Sequence, residues 1–239
     1  MDYADVAKLL VNSLGLMRPP IGLAFLPEPP EGIPRYGQAV PTACTFWKAA
    51  ETSLFYATAE DHYNCPIGAI TQGFQPPPDV MQQGMALIGQ MGKIGYFDAA
   101  EVSNVPTVEK PHQVIVYGPL GSFKTVLPEL ALIICSPFQA MLLSEAAGAM
   151  VWRGGGKEMH LFGRPACAVI PSALQDAAAS ASLGCMGART FAGIQEHELL
   201  VAIPSSCLAE TAQKLAVMLV ANAEMKSFYS SHKSRFESV

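Results

Sequence analysis

The stretch Ser182-Leu183-Gly184-Cys185-Met186-Gly187-Ala188-Arg189 concentrates the chemistry of this 239-residue chain. A cysteine with a glycine on one side and another two residues on makes a tight turn that presents a soft nucleophile. Gly184 and Gly187 let backbone approach a ligand closely, and the nearby Arg189 guanidinium favours thiolate over thiol. Two further cysteines share this character. Cys44 opens the segment Cys44-Thr45-Phe46-Trp47 just after Pro41-Thr42, where a short helix with Thr42 as cap is expected. Cys65 precedes Pro66, and proline suits the first position of a helix. Both thiols would then stand at helix starts, where unpaired N–H groups lower a thiol pKa.

The expected chemistry is a thiolate-ligated metal centre. Cys44, Cys65 and Cys185 serve as ligands of an iron–sulfur cluster, Gly184 and Gly187 give it room, and His62 is a fourth ligand or proton carrier. Arg189 would anchor an anionic group of a small substrate, and an iron left open would serve redox or Lewis-acid chemistry. The plain alternatives stand beside this reading: a cysteine in a glycine turn can be a small apolar filler, His62 a loop residue, and Arg189 a partner of Glu196 or Glu198. Separations of 21 and 120 residues match neither a CxxC zinc pair nor a ferredoxin run, so the centre depends on folding to bring the three together. A haem carrier with one axial cysteine, and a metal-free nucleophile at Cys185 assisted by His62 or His197, also stay open. Cys135, Cys167 and Cys207 read as structural. Gly154-Gly155-Gly156-Lys157 lacks the phosphate-loop pattern, with Glu158 where Ser or Thr is needed.

Half of the residues are apolar, 15% are charged, and the net charge is −5. That balance implies a large core, an oligomer interface or an apolar cavity, and without a basic stripe it excludes nucleic acid as main partner. No apolar run is long enough to span a bilayer. The acidic start Met1-Asp2-Tyr3-Ala4-Asp5 is unlike a signal peptide, so a cytoplasmic protein, with a redox or small-molecule partner and self-association, is expected. Six cysteines in a reducing compartment are then core residues, ligands or nucleophiles rather than disulfides.

Periodicity predicts helices over 4–14, 44–50, 76–90, 138–152, 173–181 and 208–228, with strands over 21–26, 53–58, 113–117, 130–135, 159–162, 166–170 and 199–203. A further helix is expected around 98–102. Strands and helices interleave, giving one α/β or α+β domain over 1–239, a mixed sheet packed with helices. A weak internal duplication, with halves of about 1–110 and 111–239, is suggested by an echo between the segments leading to Cys65 and to Cys167.

The Ser-Leu-Gly-Cys-Met-Gly-Ala-Arg turn, with Cys44, Cys65 and the opening Pro19-Pro20-Ile21-Gly22-Leu23-Ala24, resembles a bacterial and archaeal family, the domain of unknown function 169, from about Leu9 to Ile203. The resemblance brings no reaction. It implies that Cys44, Cys65 and Cys185 belong together as a set.

Overall fold

The computed structural model describes residues 1–96, 105–148, 150–152 and 164–237. In chain order the elements are α1 (Tyr3–Leu14), β1 (Ile21–Leu26), α2 (Cys44–Ala49), β2 (Phe55–Thr58), α3 (Pro66–Thr71), α4 (Pro78–Lys93), β3 (Val114–Pro119), β4 (Leu130–Cys135), α5 (Pro137–Ala147), β5 (Met150–Trp152), α6 (Val169–Asp176), β6 (Ala179–Ser182), α7 (Met186–Ala192), β7 (Leu199–Pro204) and α8 (Ser205–Phe236). The helix expected around 98–102 and the strand expected over 159–162 lie outside the described residues.

The strands form one mixed sheet in the order β2-β3-β1-β4-β7-β6-β5, antiparallel except for the parallel β5–β6 pair. All six residues of β4 and of β7 are buried, as expected of central strands covered on both faces. Side chains alternate between the faces. Leu130, Leu132 and Ile134 pack with α2, α3, α6 and α7, whereas Ala131, Ile133 and Cys135 pack with α1, α5 and α8. Cys135 and Cys207 thus belong to the second face, as structural residues.

The topology repeats itself. Exchanging β1 with β4, β3 with β7 and β2 with β6 leaves the order of those six strands unchanged. The registers obey the same exchange. Ile21 pairs with Pro119 as Leu130 pairs with Pro204, and the central pairing of β1 with β4 is symmetric about Gly22 and Ala131. Apart from α4 in the first unit and α5 with β5 in the second, each unit runs strand, cysteine, helix, strand, cysteine, helix, strand. The first contains Cys44-α2-β2-Cys65-α3, and the second Cys167-α6-β6-Cys185-α7. The division falls between Pro119 and Leu130 rather than near residue 110, and the equivalent of Cys65 is Cys185, not Cys167.

Three expected elements differ. The helix over 138–152 ends at Ala147, where Gly148 takes a φ of 79°, and β5 follows. The expected strand over 166–170 is a 3-10 turn at Ala166–Ala168 running into α6. Pro171 lies in the first turn of α6, where a missing N–H costs nothing, and a central strand would reject it. The expected alanine-rich helix over 173–181 stops at Asp176, because Ala177 adopts a left-handed φ of 48°. Ala179–Ser182 is instead a fully buried strand next to β7. Small side chains fit that crowded position, and tertiary packing overrides alanine's helix propensity.

Candidate thiolate site

On the first face of the sheet, Cys44, Cys65, Cys167 and Cys185 line a single cavity of about 200 Å³. All six cysteines of the chain are free thiols. Each of these four arrives at the start of a helical segment. Cys44 is the first residue of α2, Cys65 caps α3 ahead of Pro66, Cys167 lies in the turn entering α6, and Cys185 caps α7. Helix starts leave N–H groups without intrahelical partners, and at Cys65 and Cys185 backbone N–H groups face the sulfur. The Ala188 N–H donates to Cys185 Sγ at 3.4 Å.

Cys185 is held from both ends of its helix. Gly184 takes a φ of 84°, a conformation that favours glycine. Arg189 donates to the carbonyl oxygens of Leu183 and Gln195, and Arg18 donates to those of Ala192 and Gly193. The Arg189 guanidinium therefore ties the loop on either side of α7, and it is absent from the cavity wall. The guanidinium expected to anchor an anion is thus engaged with backbone carbonyls outside the cavity wall. Nor does it pair with a carboxylate of Glu196 or Glu198: the Glu198 carboxylate accepts from the Gln195 N–H and faces Arg18.

The cation on the wall is Arg164, which the sequence reading passed over. Its guanidinium carbon stands 4.1 Å from the centroid of the Tyr96 ring, a cation–π contact. The Tyr96 hydroxyl accepts from the Met186 N–H at 3.1 Å, linking this corner to the Cys185 turn. The remaining wall is mostly apolar, with Pro41, Pro66, Ile67, Leu87 and Met91. Thr42, expected as a helix cap, instead has its Oγ1 buried on this wall with no hydrogen-bond partner among the described residues.

His62 is not at the cavity. It is fully buried among Phe46, Phe74 and Tyr117. Its Nδ1 meets the Thr58 carbonyl oxygen at 2.6 Å and its Nε2 meets the Tyr117 hydroxyl at 3.0 Å. A carbonyl oxygen only accepts, so Nδ1 carries the proton and Nε2 accepts from the phenol. Both nitrogens are engaged, which removes His62 as ligand or base. His197 is exposed on the far loop and is not on the wall either.

The four thiols are electrostatically unequal. A hydrogen bond from Cys44 lowers the Cys185 pKa to about 6 against the opposing effect of burial, and N–H groups of Ala188, Ala166 and Gly187 add to it. The same bond, followed by burial, pushes Cys44 well up. Burial raises Cys65 and Cys167. At neutral pH the metal-free site is then one thiolate with three thiols around it. Alkylation of Cys185 by iodoacetamide is expected to rise with pH through a midpoint near 6, because only the thiolate reacts. Cys44→Ala removes the donor and should move the midpoint upward, whereas Cys44→Ser retains one. Peptide mapping of the alkylated protein against pH checks this, and an unchanged Cys44→Ala midpoint would refute it.

Among the described residues no group of three or more His, Cys, Asp or Glu side chains is drawn together so as to hold a metal ion. No described helix is long and apolar enough to cross a membrane. No solved structure matches the chain. An uncharacterized protein of Methanocaldococcus jannaschii, MJ0308, is 29% identical over 170 residues, covering 69% of this chain and 71% of that protein. The profile of the domain of unknown function 169, described as an uncharacterised ArCR, matches residues 9–214, and the chain belongs to that family.

Proposed function

We propose that the chain holds an iron–sulfur cluster in this cavity through Cys44, Cys65 and Cys185. The centre would serve redox or Lewis-acid chemistry on a small anionic molecule. One observation carries the reading: cysteines distant in sequence meet on the wall of one largely apolar cavity. Soft thiolates select zinc, copper(I) or iron–sulfur clusters. A mononuclear zinc needs its donors about 2.3 Å from one point. Among the described residues no three donors are grouped to hold a single ion, while the cysteines share one cavity wall, so a polynuclear core is the proposed occupant. Backbone N–H groups directed at the sulfurs are a known control on cluster potential, and the apolar wall keeps water away. The orphaned Thr42 hydroxyl supports a bound group, since a buried polar atom without a partner is costly. Arg164 supplies the positive charge for an anion at the wall. A volume of about 200 Å³ weighs against haem, as pockets for drug-sized ligands run roughly 300–1,000 Å³.

A second reading is favoured by the Cys44–Cys185 hydrogen bond alone: a metal-free enzyme with Cys185 as nucleophile and Cys44 beside it. Iron, sulfide and zinc analysis with a visible spectrum, on protein purified without oxygen, separates the two. The expected result is a broad absorption near 400 nm (roughly, as for iron–sulfur chromophores), with iron and sulfide lost in Cys44→Ser, Cys65→Ser and Cys185→Ser. A colourless, metal-free wild-type protein would sink the cluster and leave the nucleophile.

A further inference from the structure

We infer that Cys167 is a fourth ligand, so that the two halves of the chain close one approximately two-fold four-thiolate site with no iron left open. The inference rests on the cluster reading above and adds to it the residue that removes its Lewis-acid branch.

The two halves are related by topology. The exchange that relates β1 to β4 and β3 to β7 relates Cys44-α2-β2-Cys65-α3 to Cys167-α6-β6-Cys185-α7. Cys44 therefore corresponds to Cys167, and Cys65 to Cys185. The spacings are similar in the two units, 21 residues from Cys44 to Cys65 and 18 from Cys167 to Cys185, the difference lying mainly in the connection from β2 to Cys65, which is longer than that from β6 to Cys185. Packing between the units follows the same relation. α2 lies against α7, which brings the Cys44 and Cys185 helices together, and α3 lies against the turn that carries Cys167. A half-turn converts the first contact into the second. A ligand on this axis meets the same chemistry from both sides, so a site that uses Cys44, Cys65 and Cys185 has its missing corner where Cys167 stands. Cys167 is 4% exposed and lines the same cavity. Its neighbours Ala166 and Ala168 are fully buried, so the turn is packed rather than free to carry the thiol elsewhere. Clusters of both the [2Fe–2S] and [4Fe–4S] types are capped by four cysteines, and a cluster so capped offers no iron to an added ligand.

The test compares anaerobically purified wild type with Cys167→Ala, Cys167→Ser, Cys44→Ser and the opposite-face control Cys135→Ser. Circular dichroism identifies the folded variants, and either Cys167 substitution suffices. Iron and acid-labile sulfide are measured in each, and the paramagnetic resonance spectrum of the reduced wild type is recorded with and without cyanide. Expected are loss of iron and sulfide in the Cys167 variant as complete as in Cys44→Ser, retention in Cys135→Ser, and a spectrum that cyanide leaves unchanged. Wild-type iron, sulfide and spectrum in the Cys167 variant, alongside loss in Cys44→Ser, would overturn the fourth ligand and leave the three-cysteine cluster standing. A cyanide-shifted wild-type spectrum would overturn it in the same way. Wild type without iron and sulfide would overturn the cluster reading and this inference together.

Discussion

Between pH 7 and pH 4 the metal-free protein is expected to lose about 3 kcal/mol of stability through His62 alone. The ring is fully buried beneath the site, and burial lowers its pKa from 6.5 to about 4. In the unfolded chain the same ring takes up a proton near pH 6.5. The unfolded state therefore binds more protons between the two values, and stability rises with pH across that window. The contribution is fully present above about 6.5 and is lost as pH falls through 4. Burial also lowers His112, and Arg35 with Thr58 lowers Asp61. The His112 change adds to the loss over this window, whereas the Asp61 contribution, held low by Arg35 and Thr58 against burial, is lost mainly below about pH 4. His62→Gln tests that share. A glutamine amide can still donate to the Thr58 carbonyl and accept from Tyr117, but it does not titrate. Urea unfolding of both proteins at pH 7 and pH 4 should show a dependence about 3 kcal/mol shallower in His62→Gln. Equal slopes would show that His62 is not the buried neutral ring described above.

Gly68→Ala is expected to leave the fold in place and empty the site. Gly68 lies inside α3, where alanine improves helix propensity by about 1 kcal/mol. A Cβ there would stand 2.9 Å from Cys65 Sγ and 2.9 Å from Ala43 Cβ, closer than such atoms approach. One neighbour has to move. Ala43 immediately precedes Cys44, and the Cys65 sulfur is the freer of the two contacts, so the substitution displaces one or both of the proposed ligands. Overpacking costs roughly 1–3 kcal/mol, partly offset by the propensity gain. The expected protein has native circular dichroism, a small change in unfolding midpoint, and iron and sulfide at a tenth or less of the wild-type content. Full metal content in a folded Gly68→Ala protein would mean that Cys65 is not held where the helix start puts it, or is not needed.

Much of the local architecture could be read from the residues because its causes are local. Leu130–Cys135 is a continuous apolar run and forms a strand with those limits. Gly15 ends α1 in a left-handed conformation, and Pro66 starts α3 with Cys65 as cap, since capping and proline geometry act within one turn. The same logic identified three of the four thiols on the cavity wall. It failed at Cys167, whose Ala-Cys-Ala-Val-Ile setting has strand propensity. The available signal was the repeated order cysteine, helix, strand, cysteine, together with Pro171, which argues against a central strand.

The residues by themselves determined which thiols could stand at helix starts, because a cap depends on a few neighbours in the chain. Only the tertiary structure decided which of them meet. That depends on the antiparallel pairing of β1 with β4, over 100 residues apart in sequence, and on the register centred at Gly22 and Ala131. The same long-range packing set Arg164 on Tyr96 at the cavity, tied Arg189 to backbone carbonyls, and enclosed His62 in an aromatic layer. No local propensity encodes those outcomes, since the direction of a long polar side chain is chosen by the partners that folding brings within reach.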